Sequence, residues 1–67
     1  MKITLNNRPE SFDENSMTFD ELIKTKNFTF KMLVTKLNGN LVKKDRRAEV
    51  SIKDGDDVTV LHLVSGG

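Results

Sequence analysis

The segment that most constrains the fold is residues 58–64, Val-Thr-Val-Leu-His-Leu-Val, which follows an Asp-Gly-Asp turn signal. A strand with one face in water alternates apolar and polar residues, whereas this segment is apolar or β-branched on both faces. It therefore predicts a strand in the centre of a sheet. A chain of 67 residues has room for one small core, so we expect a single domain over residues 1–67 that ends in a flexible tail at residues 65–67.

The N-terminal residues predict a β-hairpin. Ile3 and Leu5 alternate with polar neighbours, which is the period of a half-buried strand. Asn6-Asn7 favours a tight turn, and Pro9 cannot donate a backbone hydrogen bond. We expect a hairpin over residues 2–13, with residues 9–13 at a sheet edge.

A short amphipathic helix is predicted next. Thr18 and Glu21 have the spacing of a capping box, in which each side chain binds the other residue's backbone N–H. Phe19, Leu22 and Ile23 then share one helical face and are expected to pack on the sheet. Asn27 is the expected stop.

The second half of the chain supplies the remaining strands. Residues 33–37 alternate and lead into Asn38-Gly39, which favours a tight hairpin turn before Leu41-Val42. The order strand, strand, helix, strand, short strand, strand is that of an α+β, ubiquitin-like β-grasp fold, a mixed sheet of four to five strands with one main helix across one face. Parallel pairing of the first and last strands would place the last strand in the middle of the sheet.

The final strand also predicts a protein contact. Its alternation places Val58 and Val60 on one face and Thr59 and Leu61 on the other, and the pattern does not decide which face meets the helix. Whichever face is left uncovered carries apolar residues near the C-terminus, and such patches often mark protein contacts. The candidate partner contacts are Leu61, His62, Leu63 and Val64.

Composition excludes several classes of function. With no cysteine, the chain has no disulfide, no thiolate metal site and no persulfide of its own. Eleven Lys and Arg against ten Asp and Glu give a net charge of +1, too small an excess for a nucleic-acid binder. No apolar segment is long enough for a membrane span or a signal core, so we expect no membrane partner and a cytoplasmic protein.

Isolated polar features give weaker signals. Asp54, Asp56 and Asp57 lack the ligand spacing and the distal Glu of a calcium loop, so a turn is expected and no metal site. His62 has no neighbours in sequence to form a metal or catalytic site and is expected to be structural or interfacial.

The Lys43–Arg47 basic cluster, namely Lys43, Lys44, Arg46 and Arg47, predicts a solvated loop or a contact with an acidic protein surface. The phenylalanines at 12, 19, 28 and 30 are expected in the core rather than around a ligand.

The reactive group most available on the chain is the α-carboxylate of Gly67. Glycines at 66 and 67 lack Cβ atoms, so with Ser65 they suit a tail that enters a narrow channel and brings that carboxylate to a phosphate. Reaction with ATP would convert the carboxylate into an acyl-adenylate, from which a sulfur nucleophile can displace AMP. The alternative is that Gly66-Gly67 is only a frayed terminus.

Three segments together resemble a known family. Residues 37–42 contain the Asn-Gly hairpin, residues 52–58 contain the Asp-Gly-Asp turn, and residues 63–67 read Leu-Val-Ser-Gly-Gly. In these features and in length the chain resembles the ThiS family, the sulfur-carrier proteins of thiamine biosynthesis, over nearly its whole extent. The segment Phe28-Thr29-Phe30-Lys31 departs from the family pattern.

The resemblance implies a carrier that is a cosubstrate and not an enzyme. A ThiF-like adenylyltransferase would use ATP to activate Gly67, and a persulfide donor such as a cysteine desulfurase would supply sulfur for a C-terminal thiocarboxylate. A ThiG-like thiazole synthase would then take the sulfur for the thiazole of thiamine. No catalytic residue and no bound cofactor are expected on the chain itself.

Two alternatives remain. The small subunit of molybdopterin synthase shares the activated Gly-Gly end but tends to be longer and to carry a Phe-Pro-Pro-type stretch, where this chain has residues 61–64, Leu-His-Leu-Val. The other alternative is a ubiquitin-like modifier or binding module, in which Gly67 is conjugated to lysines or has no chemical part.

Overall fold

The computed structural model describes residues 1–28 and 32–62. Its first half contains strands β1 (Lys2–Leu5), β2 (Arg8–Ser11) and β3 (Ser16–Thr18) and helix α1 (Phe19–Thr25). Its second half contains strands β4 (Leu33–Leu37) and β5 (Asn40–Val42), a 3₁₀ turn (Lys44–Arg46), and strands β6 (Ser51–Lys53) and β7 (Asp57–His62). Within these ranges, no helix is long and apolar enough to cross a membrane.

The strand predicted to be central lies in the centre of the main sheet. In the described part of the chain this sheet has five strands in the order β2-β1-β7-β4-β5. β7 pairs parallel with β1, with Leu5 opposite Val58, and antiparallel with β4 from Leu37 opposite Val58 to Leu33 opposite His62. The mixed sheet with one helix is the predicted ubiquitin-like β-grasp, and the hairpin of β1 and β2 is confirmed with β2 at the edge.

The helix begins where the sequence predicts and ends slightly earlier. The hydroxyl of Thr18 accepts a hydrogen bond from the Glu21 N–H at 3.2 Å, and the Glu21 carboxylate accepts one from the Thr18 N–H at 2.9 Å, so the capping box is complete. Asn27, the expected stop, has a φ of 58°, a left-handed conformation in which a helix cannot continue. Phe19 and Leu22 are fully buried, and the ion pair of Lys26 with Glu10 at 2.6 Å fastens the end of the helix to β2.

A second, two-stranded sheet is absent from the sequence-based prediction. β3 pairs antiparallel with β6, with Met17 opposite Ile52. Both of these side chains are buried, while the residues on either side are polar and half-buried or exposed. Three-residue strands with one apolar residue each lack a readable period, so only the tertiary pairing reveals them.

The predicted turns are present and have clear side-chain support. Asn38 and Gly39 have φ values of 51° and 84°, as a tight hairpin between twisted strands requires. Asp56 accepts hydrogen bonds from the Lys53 N–H at 2.8 Å and from the Asn38 side chain at 3.2 Å. Asp54 accepts one from the Lys2 N–H at 2.7 Å. The predicted turn is therefore present, with Asp56 bonded across it and Asp54 joining it to β1.

The core lies between the helix and one face of the main sheet. Its buried side chains come from β1, β3, α1, β5, β6 and β7: Ile3, Leu5, Met17, Phe19, Leu22, Val42, Ile52, Val58 and Val60. Phe12 and Phe28 are partly buried against this cluster, which agrees with the core prediction for the phenylalanines; Phe30 lies outside the described residues.

Candidate functional site at the end of the central strand

The central strand leads directly to the predicted reactive terminus. β7 ends at His62, and Gly67 follows five residues later in the sequence. A fully extended segment of that length spans about 17 Å. Leu63, Val64, Ser65, Gly66 and Gly67 lie outside the described residues, so their predicted roles remain predictions.

The structure decides which face of β7 meets the helix. Val58 and Val60 are buried in the core, while Leu61 on the other face is 49% exposed. Val34 of β4 stands opposite Leu61 in the ladder, and Leu41 of β5, which is 62% exposed, lies on the same outer face. We call Val34, Leu41 and Leu61 the outer apolar patch. It is the uncovered apolar surface predicted near the C-terminus.

Lysines border the outer apolar patch. Lys36 of β4 is exposed and stands opposite both Leu41 of β5 and Thr59 of β7, so it lies on the outer face beside Leu41 and two positions along the ladder from the pair of Val34 and Leu61. Lys43 follows β5 and borders, with Leu41 and Arg46, an open groove that also contains Glu49. Asp57 occupies the far end of β7, opposite Thr4. The described surface around the patch is therefore mainly positive and suits an apolar partner surface with an acidic rim.

Arg47 differs from the other residues of the basic cluster, and its burial was not predicted. Lys43, Lys44 and Arg46 are exposed, as a solvated loop requires, but Arg47 is only 9% exposed. Its Nε donates to the Thr35 hydroxyl at 3.0 Å and its Nη2 donates to the Leu33 carbonyl at 2.7 Å. Nothing in the run of similar residues distinguishes Arg47 in the sequence, because its burial depends on β4 passing beside it.

The buried Arg47 guanidinium supports β4, the strand that pairs with β7. The Thr35 hydroxyl, itself fully buried, accepts from Arg47 and donates to the Val42 carbonyl at 2.6 Å. The chain of hydrogen bonds thus joins β5, β4 and the loop after the 3₁₀ turn. Arg47 binds the carbonyl of Leu33, and Leu33 pairs with His62, the last described residue of β7. Arg47 therefore stabilises β4 at the position that pairs with the end of β7.

Within residues 1–28 and 32–62, no group of three or more His, Asp or Glu side chains is placed to hold a metal ion. His62 is exposed at the end of β7, and its interfacial role remains a prediction. The described residues thus contain a central strand supported on both sides and an outer apolar patch that includes Leu61 of that strand. The predicted reactive terminus follows this strand in the sequence.

Fold and site together define a ubiquitin-like β-grasp protein whose central strand precedes a Gly-Gly end. A model of the ThiS family matches residues 3–67, and the chain belongs to that family. Its structure is similar to the crystal structure of the thiamine biosynthesis protein ThiS from Geobacter metallireducens, with a TM-score of 0.90, 28% identity and all of both chains covered. The solution structure of a thiamine biosynthesis protein from the same organism matches with a TM-score of 0.81 and 28% identity, over 100% of this chain and 88% of the other. No curated protein sequence matched the chain.

Proposed function

We propose that this protein is a sulfur carrier of thiamine biosynthesis that delivers sulfur as a thiocarboxylate on Gly67. The observation that carries the proposal is the match of residues 3–67 to the ThiS family, which includes the Gly-Gly end. The geometry supports it, because β7 is fixed in the middle of the sheet and leads to that end. The protein is a cosubstrate of partner enzymes in this scheme.

The chemistry requires partners at each step. A carboxylate is a poor acyl donor, so an adenylating partner, ThiF-like, joins Gly67 to the AMP portion of ATP and releases pyrophosphate. A sulfur nucleophile then displaces AMP from the carbonyl carbon. The chain contains no cysteine, so that nucleophile is the outer sulfur of a persulfide on a partner such as a cysteine desulfurase, and its attack forms an acyl disulfide. A second thiol of the partner then attacks the partner's own sulfur in this bond, which forms a partner disulfide, supplies the two electrons and releases the thiocarboxylate. A thiazole synthase, ThiG-like, accepts the sulfur and returns the carboxylate.

Mass spectrometry of the intact protein tests the proposal. Incubation with ATP, an adenylating partner and a persulfide source should replace one oxygen by sulfur at the C-terminus. Omission of ATP is the control and should leave the mass unchanged. Attachment of the chain to lysines of other proteins would indicate a modifier instead, and an unchanged mass with partners shown to be active on another carrier would refute the proposal.

We further propose that the outer apolar patch docks on the adenylating partner, with Leu61 and His62 among the contacts and Leu63 and Val64 continuing them. Two substitutions separate the apolar and electrostatic contributions. Leu61→Ser should weaken binding about fivefold, mainly through faster dissociation, because about half of the leucine is available for burial. Lys36→Glu should instead slow association and reduce its dependence on salt, because an acidic rim on the partner would repel the new charge.

The matched control for the charge change is Lys24→Glu. Lys24 is exposed on α1, and the helix covers the opposite face of the sheet, so this substitution alters net charge by the same amount away from the patch. Association rates measured at low and high salt by surface plasmon resonance distinguish the two variants. Equal slowing in both would mean that net charge, and not the patch, controls docking.

A further inference from the structure

β1 ends before it has covered the whole of β7. Backbone pairing between the two strands extends only to Leu5 opposite Val58, supplemented by a hydrogen bond from the Asn6 N–H to the Val58 carbonyl at 2.9 Å. The chain then turns at Asn6-Asn7, both with positive φ, and runs back as β2. Along this edge, Val60 is therefore beyond the backbone ladder with β1.

The side chain of Asn6 extends the ladder by one step. Its Oδ1 accepts a hydrogen bond from the Val60 N–H at 2.8 Å, and its Nδ2 donates to the Val60 carbonyl at 3.0 Å. A primary amide carries one acceptor and one donor group in the arrangement of a peptide unit, so it can replace the missing strand residue. Both bonds are partly buried, and they lie 54 positions apart in the sequence.

We propose that Asn6 is a positioning residue that fixes the end of β7, from which the C-terminal residues follow. This inference rests on the proposed function, because the benefit is delivery of the Gly67 carboxylate. With the Asn6 amide in place, β7 is held on its β1 side through Val60. Without it, the backbone of β7 beyond Val58 is held on one side only, by β4, so this end of the strand opens more readily, and ordering it again in a partner's channel costs conformational entropy.

Asn7 provides an unusually close control for Asn6. The two residues are adjacent, identical and both in the left-handed region, with φ values of 51° and 66°. Among the described residues, the Asn7 side chain takes part in no hydrogen bond. Glycine adopts either conformation without strain, so Asn6→Gly and Asn7→Gly change the turn equally, and only Asn6→Gly removes the two bonds to Val60.

Hydrogen exchange in the isolated protein gives the first test. Asn6→Gly should speed exchange of the Val60 amide at least tenfold while exchange of the Leu22 and Ile52 amides stays within about twofold, since only local opening is favoured. Asn7→Gly should leave the Val60 amide unchanged. Equal Val60 exchange in the two variants would overturn the inference, whatever the function of the protein.

Adenylation kinetics give the second test. With the carrier as varied substrate, Asn6→Gly should lower kcat roughly tenfold, the factor equivalent to ordering about one extra residue, with little change in KM because the outer apolar patch is intact. Asn7→Gly should retain the original kcat. A purely structural role for Asn6 would predict an unchanged kcat for folded Asn6→Gly as well.

Asn6→Asp is the second variant if Asn6→Gly does not fold. It keeps the acceptor for the Val60 N–H and loses the donor, so it should also lower kcat. An unchanged kcat in Asn6→Asp would overturn the inference.

These tests separate failure of the inference from failure of the proposed function. Adenylation of the original protein with normal kcat in Asn6→Gly would reject Asn6 alone. Absence of adenylation in the original protein would reject the proposed function, and the exchange of Val60 would still decide whether Asn6 fixes the end of β7.

Discussion

Deletion of Gly67 is expected to abolish thiocarboxylate formation and leave the domain folded. The variant ends in the carboxylate of Gly66, which a shorter tail places about 3.5 Å back along the chain. A misplacement of about 1 Å can reduce a reaction rate about a hundredfold, so the rate should fall by at least that factor. Fold should persist because the buried core residues, from Ile3 to Val60, all precede the tail.

The measurements are intact-mass analysis of sulfur incorporation and urea unfolding followed by circular dichroism. Gly67→Ala is the matched variant, because it keeps the length of the tail and adds one methyl group beside the reacting carboxylate. It should retain more activity than the deletion if the length of the tail limits the rate of adenylation. Sulfur transfer by the deletion variant at the original rate would show that Gly67 is not the site.

Thr35→Val is expected to be among the most destabilising conservative substitutions in the protein. Valine preserves the shape of threonine but removes the hydroxyl that accepts from Arg47 and donates to Val42. A buried guanidinium would then lack an acceptor for its Nε, at a cost of about 3 kcal/mol in the free energy of unfolding. In a domain of 67 residues this is a large fraction of the total stability.

The companion variants identify the cause. Arg47→Met should cost only about 1 kcal/mol, because the charge leaves together with its hydrogen bonds. The double variant of Thr35→Val and Arg47→Met should therefore be more stable than Thr35→Val alone. Arg46→Met removes an exposed pair with Glu49 and should cost no more than about 0.5 kcal/mol. Additive costs in the double variant, measured by urea unfolding, would contradict a role for the buried charge.

Local chemistry made much of the fold predictable. The capping box at Thr18, the Asn38-Gly39 turn and the Asp54-Gly55-Asp56 turn all depend on residues close in sequence, and each is present in the structure. The two-sided apolar pattern of the last strand likewise predicted its central place. Such features are readable because a few neighbouring side chains specify them.

The pairing of β3 with β6 and the contacts of Asn6 were not predictable in the same way. β3 and β6 have three residues each, too few for a period, and they pair across a large separation in sequence. Asn6 was correctly predicted as a turn residue, but its bond to Val60 depends on where β7 lies beside it. A side chain that hydrogen-bonds to the backbone of a distant strand produces no periodic pattern in its own segment of the sequence.

The sequence by itself determined the order of the helix and the main-sheet strands, the central strand and the Gly66-Gly67 end, because each follows from local propensity or residue identity. Only the tertiary structure decided that Leu61 faces outward, that Arg47 is buried while Arg46 is exposed, and that Asn6 holds Val60. The physical reason is the same in each case. A residue's burial and partners depend on the segments that pack against it, and those segments are distant in the chain.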